Sequence, residues 1–522
     1  MPAATAQEYA PRVPTVPPAM THPQKLRALS GIMMGTFVAM LAATIVSSSM
    51  PRIVADLGGT QSEFTWVITA TLLAQTIATP LWGKFADLFN RKRLVQIALT
   101  ITVLAAAAAG FAQNATMLIA FRAGQGVGAG GLMALGTVLL TDIVSPRERG
   151  RYMGIMGAFM AVSQVGGPLL GGIITDSALG WRWNFFMATP FAIAAALVLQ
   201  KTLHLPPRPN RVTRIDYLGA LLISAGVSLA LLWITFAGSQ FAWASWQTAA
   251  MVGAAAVLLV AAVLVEKVVA EPIIPLHLFA NRTFVLAVIA SVAVGLALFG
   301  TAVFVAQYLQ ISRGKTPTQS GLLTIPMVVG TLLAAQILGR LITATGRYKA
   351  IMVGGGLALL GALIGMSTIT EHTHLAIIGV YLFGLGVSIG ALMQNLVLAV
   401  QNTLSVHEMG SGTSTVAFFR TLGGTIGVSA LGAVLTARVA REISDGLAAA
   451  GLPADSVVAG VVPNVHTLPE EVRAVVEVAY ADGISHIFGL AIPMATIALI
   501  ATLLIKEIPL GRKSGIEEVL EQ

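Results

Sequence analysis

The side chains able to handle charge lie far apart, in long apolar stretches. Arg122 stands about six residues inside one such stretch. A guanidinium there costs a few kcal/mol or more unless paired or hydrated, so Arg122 either faces an interior cavity or snorkels to a boundary. Arg420 is the other cation within an apolar segment. Asp87 is followed by Arg91, Lys92 and Arg93, a spacing that suits a carboxylate–cation latch across two helices or a charged connecting loop. The other carboxylates near apolar runs sit at their ends: Asp142, Asp216 and Glu266 at one set, Asp56, Asp176 and Glu371 at the other. What remains inside is neutral and polar: Thr44, Ser47, Ser48, Gln75, Gln164, Gln307, Gln336, Gln394 and Asn395. Each can hydrogen-bond a neighbouring helix, and as a set they suit an apolar cavity with scattered hydrogen-bonding groups. There is no His-Glu-x-x-His pattern and no intramembrane carboxylate pair, while His372 and His374 fall at a helix end. No metal, cofactor or enzymatic activity is therefore expected.

The elements that hold these groups follow from composition. Of 522 residues 56% are hydrophobic and 10% charged, and the mean hydropathy is +0.82, which excludes a cytosolic enzyme. A transmembrane β-barrel needs alternating polarity, whereas this chain runs in continuous apolar blocks such as 94–112. An all-α polytopic membrane protein remains. At about 20 residues per span, fourteen transmembrane helices are predicted near 29–51, 64–86, 94–112, 116–142, 150–174, 185–204, 216–237, 247–268, 284–310, 318–342, 350–370, 374–402, 413–438 and 484–505. The 53 glycines suit close helix packing, and the absence of cysteine excludes disulfides, iron–sulfur clusters and thiol catalysis.

The net charge of +8 is a topology signal rather than a nucleic-acid footprint. With both termini cytoplasmic, inner segments hold 22 Lys and Arg against 7 in outer loops, as the positive-inside rule requires. Residues 1–28, rich in proline, read as a disordered cytoplasmic tail, and 506–522 as a second one. The stretch 439–483 reads as a long extracellular loop that either caps the mouth or is simply solvated.

Residues 83–93 and 339–349 align at a constant offset of 256. Both join an even-numbered span to the next, so two six-helix halves, 29–204 and 284–505, flank two inserted helices within 205–283. Parallel repeats of this kind typify transporters. Gly126 to Gly131 fits G-x-G-x-x-G, but no strand precedes it, so the reading is small-residue helix packing. In the fifth span, Pro168 lies among Gly166, Gly167, Gly171 and Gly172, which suits a hinge between the halves or an incidental kink.

Gly83…Asp87…Arg91-Lys92-Arg93, Arg122…Gln125-Gly126 and Gly167-Pro168…Gly171-Gly172, joined by Trp181 to Phe186, Tyr308 to Gln310 and Phe418 to Gly424, resemble the major facilitator superfamily and its fourteen-helix drug:proton antiporters of the QacA/EmrB type. The resemblance covers 29–505. It implies an antiporter motif at Gly167, Pro168, Gly171 and Gly172, and a cavity among helices one, four, five, nine, ten, twelve and thirteen. It also implies a monomer in the cell inner membrane or plasma membrane, exchanging protons for a lipophilic small molecule among membrane lipids. Arg122, Asp87, Arg91, Asp142 and Asp56 are then the candidates for proton coupling and gating. Thr44, Ser47, Ser48, Gln164, Gln307, Gln336, Gln394, Asn395 and Arg420 are the candidates for the substrate cavity. One departure stands out: the first helix carries Ala42 where that branch usually has an acid. The implied function is multidrug or antibiotic efflux by alternating access, the alternative being export of one endogenous metabolite or lipid.

Overall fold

Apolar runs of this length have one common solution in lipid, a helix, because it satisfies every backbone N–H and C=O within the segment. The computed structural model describes residues 22–143, 163, 166–202, 216–237, 241–269, 272, 274–404, 408–453, 457 and 461–508. Most of both expected tails lies outside this range. The N-terminal half holds α1 (His22–Thr44), α2 (Met50–Asp56), α3 (Gln61–Leu88), α4 (Arg91–Gly110), α5 (Ala115–Ile143), α6 (166–176) and α7 (Trp183–Thr202). Two further helices, α8 (Tyr217–Phe236) and α9 (Trp246–Val268), precede the second half. That half holds α10 (Arg282–Gln307), α11 (Pro317–Leu323), α12 (Ile325–Thr345), α13 (Lys349–Met366), α14 (Leu375–Gln401), α15 (Met409–Ala449) and α16 (Glu470–Leu504).

Local chemistry explains several starts. Thr60 and Glu63 form a reciprocal capping box on α3, and Asn90 accepts from the Lys92 and Arg93 amides at the start of α4. Asp216 caps α8 through Gly219 N–H, and Asn281 caps α10.

Among the described residues, twelve helical segments are long and apolar enough to cross a membrane, and they match the expected spans except the first and fifth. The fifth falls mostly on 144–165, nearly all outside the described residues. The first departs from expectation: its apolar helix is only Leu29–Thr44, the chain turns at 45–49, and α2 then continues to Asp56. The expected loop at 439–483 is also largely helix. There α15 runs on to Ala449 and α16 starts at Glu470, leaving 450–469 as the connection. Arg438 Nε and Nη2 both reach Asp482 Oδ2 at 2.8 Å, and Gly446 lets Val475 close in, so the two extensions zip together beyond the spanning length.

In the first half α5 is central, packed on α3, α4 and α1. The glycine run makes this possible. A Cβ on Gly126 or Gly128 would overlap Thr71 O or Thr102 Oγ1, and one on Gly130 would lie 2.8 Å from Gln75 O. In the second half α10 packs on α15 and α16, and α12 on α14. The inserted α8 and α9 pair with each other, and α8 leans on α3 and α15, leaving much of α9 exposed. At the repeat, a Cβ on Gly83 or Gly339 meets no described atom within 4 Å.

Candidate functional site: the broken first helix and the seam between the halves

The break at 45–49 is held by side chains that reach Ser163 and α6. Thr44 Oγ1 donates to Ser163 O at 3.0 Å, Ser48 Oγ to Pro168 O at 2.7 Å and Ser49 Oγ to Gly171 O at 2.9 Å. Asn184 Nδ2 ties Ser49, Thr175 and Gly171 together from α7 at 2.9–3.2 Å. This proximity requires glycine: a Cβ on Gly167 would lie 2.8 Å from Thr44 Cβ, and one on Gly171 would lie 2.8 Å from Ile45 C. On its other face α6 meets the second half, where a Cβ on Gly172 would lie 2.6 Å from Pro317 O and one on Gly321 2.7 Å from Pro168 O. The Gly167-Pro168…Gly171-Gly172 stretch thus touches both the broken first helix and α11.

One turn deeper, Arg122 on α5 is 4% exposed. Its Nη1 donates to Gln125 Oε1 at 2.7 Å, and Gln125 Nε2 donates to Ala42 O at 3.4 Å. No carboxylate lies within 4 Å of its nitrogens among the described residues, and Nε is buried without an acceptor there. Arg122 is therefore inside the protein, which disposes of snorkelling. Arg420 on α15 is half-buried, with Nη1 3.4 Å from Met393 O on α14.

The remaining expected residues scatter. Ser47 is exposed and turns back to Thr44 O at 2.6 Å. Gln336 and Gln394 are exposed, and Asn395 is buried with Nδ2 donating to Ala391 O of its own helix at 2.7 Å. Gln307 is bonded to Gln61 of α3 across the closed seam. Asp56 is exposed and its carboxylate pairs with Arg52 at 3.1 Å, one helical turn away. Arg91 is buried and donates from Nε to Ala86 O at 3.0 Å, folding back on the end of α3. Gln164 and the side chains of Asp87 and Asp142 lie outside the described residues.

The described hydrogen bonds between the halves all fall at the end expected to face outside. Besides the Gln61–Gln307 pair, Thr69 Oγ1 lies 3.1 Å from Ser429 Oγ, Thr318 N–H donates to Asp176 Oδ2 at 2.9 Å and Gln310 donates to Ser48 O. Val462 N–H donates to Gly59 O at 2.9 Å beside an isolated bridge between Thr60 and Val461. Residues 439–483 therefore reach across to the first half. Gln61 and Tyr480 went unnoticed in the sequence, and Asp176 was placed only as a span-end carboxylate, because polar residues at span ends look like solvated boundaries and nothing local marks their partners. A cleft of about 430 Å³ between α11/α12 and α14 is lined by apolar residues such as Leu322, Pro326 and Phe383, and none of the expected polar residues lines it.

Twelve candidate spans among the described residues, packed beside a broken first helix, define an all-helical multi-pass membrane fold. The profile of the Major Facilitator Superfamily matches residues 32–428, and the chain belongs to that superfamily. It is 35% identical over 481 residues to an uncharacterised MFS-type transporter of Mycobacterium tuberculosis (strain ATCC 25618 / H37Rv), covering 92% of this chain and 69% of that protein. It is 32% identical over 419 residues to the multidrug transporter protein MdtP of Bacillus subtilis (strain 168), covering 80% and 77%. Among solved structures, a bacterial homologue of the human lysosomal transporter Spinster, crystallised in an inward-facing and occupied conformation, superposes with a TM-score of 0.63 at 15% identity, covering 93% of this chain and 97% of that one.

Proposed function

We propose that this chain is a secondary active exporter of lipophilic or amphipathic small molecules, driven by proton antiport through alternating access. The observation that carries the reading is the seam. Among the described residues its polar contacts gather at one end, where they can part, while α6 joins the broken first helix to α11 through glycine contacts that let the halves rock. Efflux is supported by relatives named for multidrug transport at about 30% identity. One proton exchanged for a neutral molecule yields about 2.3 kcal/mol per 100 mV, roughly a fifty-fold gradient.

In this reading the chain has fourteen spans, counting α1 with α2 and the helix that includes α6, and both termini are cytoplasmic. It works as a monomer in an inner or plasma membrane. Arg122 carries the coupling, because no carboxylate holds it among the described residues and its charge is sensitive to whatever enters beside it. Asp87 with Arg91 closes the cytoplasmic face. The test is accumulation of a panel of lipophilic compounds in inverted membrane vesicles, with and without an imposed pH gradient. Gradient-dependent uptake of several compounds supports the proposal. Uptake of the whole panel that is indifferent to the gradient overturns it.

A further inference from the structure

We propose that Gln61, Gln307 and Tyr480 form a buried latch that holds the two halves closed at the expected outer end and parts in every transport cycle. The inference rests on the alternating-access reading and adds gating residues to it. Gln61 is the first residue of α3 and Gln307 the last of α10, 246 positions apart in the chain. Their amides pair reciprocally: Gln61 Nε2 donates to Gln307 Oε1 at 3.1 Å, and Gln307 Nε2 donates to Gln61 Oε1 at 2.6 Å. Tyr480 of α16 adds its hydroxyl to Gln61 Oε1 at 3.3 Å. The three side chains are 2%, 0% and 1% exposed.

This arrangement has two natural states. With the seam closed, each amide has a donor and an acceptor in its partner, so burial costs little. With the seam parted, both reach water. Losing one partner while the seam stays dry strands the other amide, which is the expensive case. Two of the other polar contacts across the seam are less committed. Thr69 and Ser429 are hydroxyls, which can turn back to a carbonyl of their own helix, and the Val462–Gly59 bond uses backbone alone. Apolar walls keep the latch dry: the Phe64 and Phe304 rings lie 6.4 Å apart, and Val462 and Val465 are buried in the same apolar cluster.

The natural chain contains no cysteine, so a single introduced thiol reports on the seam without background. Thr69 is fully buried against Ser429 of the other half, and Thr69→Cys in the full-length protein should react slowly with a membrane-impermeant maleimide applied outside. Adding Gln307→Leu or Gln61→Leu should raise that labelling rate about tenfold, because a buried amide then loses its partner. Tyr480→Phe should raise it about twofold, since Gln61 keeps its main partner. The Gln61→Leu/Gln307→Leu combination should return towards the parent rate, because no amide is left stranded. A rate unchanged by either single substitution, or a double variant as fast as the singles, overturns the latch. Efflux is read separately with Thr69→Cys/Ser429→Cys, whose parent hydroxyls lie 3.1 Å apart. Oxidising that pair should stop efflux, and a reductant should restore it. Undiminished efflux after complete cross-linking refutes alternating access at this seam, whatever the labelling rates show.

Discussion

Gly171→Ala separates the two accounts of the Gly167-Pro168 stretch, a required seat for the first helix or an incidental kink. A Cβ at 171 falls within the carbonyl oxygen of Ile45 and 2.8 Å from its carbon, whereas ordinary carbon contacts begin near 3.4 Å, so the broken helix and α6 have to move apart by at least half an ångström. Overpacking of this size costs about 1–3 kcal/mol. The same movement stretches the bonds from Ser49 to Gly171 O and from Ser48 to Pro168 O, at 2.9 and 2.7 Å, which contribute about 0.6 kcal/mol each between membrane helices. The sum is about 2–4 kcal/mol. At about 2–4 °C per kcal/mol, the melting midpoint in detergent should fall by roughly 4–16 °C. Gly166→Ala is the internal control, because no described atom lies within 4 Å of a Cβ there. Thermal unfolding followed by size-exclusion chromatography measures both variants, and efflux is assayed on those that remain folded. Equal midpoints and equal efflux for Gly171→Ala and Gly166→Ala refute the seat.

Arg122→Ala, which leaves Gln125 Oε1 without its donor at 2.7 Å, should abolish gradient-driven transport in vesicles while the protein still inserts. Arg122→Lys should also be impaired, since a single ammonium cannot replace a planar fork of donors; normal transport by either variant removes Arg122 from coupling. Asp56→Asn should leave pH-driven transport within about twofold of the parent, because the exposed pair with Arg52 contributes only about 0.3–0.5 kcal/mol. A tenfold loss places Asp56 on the proton path instead. Neutral, weakly acidic or zwitterionic amphiphiles should be preferred over quaternary ammonium compounds, as Arg122 has no carboxylate partner among the described residues to offset a second cation. Ala42→Asp, on the turn whose carbonyl accepts from Gln125, should shift resistance towards cations. Strong resistance of the parent to quaternary ammonium compounds contradicts this argument.

Most of the helix inventory was legible in the sequence, because an apolar run about 20 residues long has little choice in lipid but to satisfy its backbone as a spanning helix. The close packing of Gly126, Gly128 and Gly130 was legible for a related reason: a missing Cβ is a property of one residue. For Arg122 cost alone left an interior site and snorkelling both open, and only its burial in the fold separates them. The partners could not be read. Gln61 and Gln307 look like ordinary ends of two distant helices, and only the docking of the halves makes them a pair. The break at 45–49 holds neither proline nor glycine, and the one local signal is Pro51 just after it, which cannot donate to Ser47 O; carbonyls of Ser163 and α6, reached by Thr44, Ser48 and Ser49, provide bonds that a straight helix would not make. The helical extensions on either side of 450–469 were missed for the same reason, since their polar sequence reads as loop until Arg438 meets Asp482. Spanning length and side-chain size are local quantities that a sequence carries by itself. Hydrogen-bond partners hundreds of residues apart exist only once the chain has packed, so tertiary structure alone decided the seam.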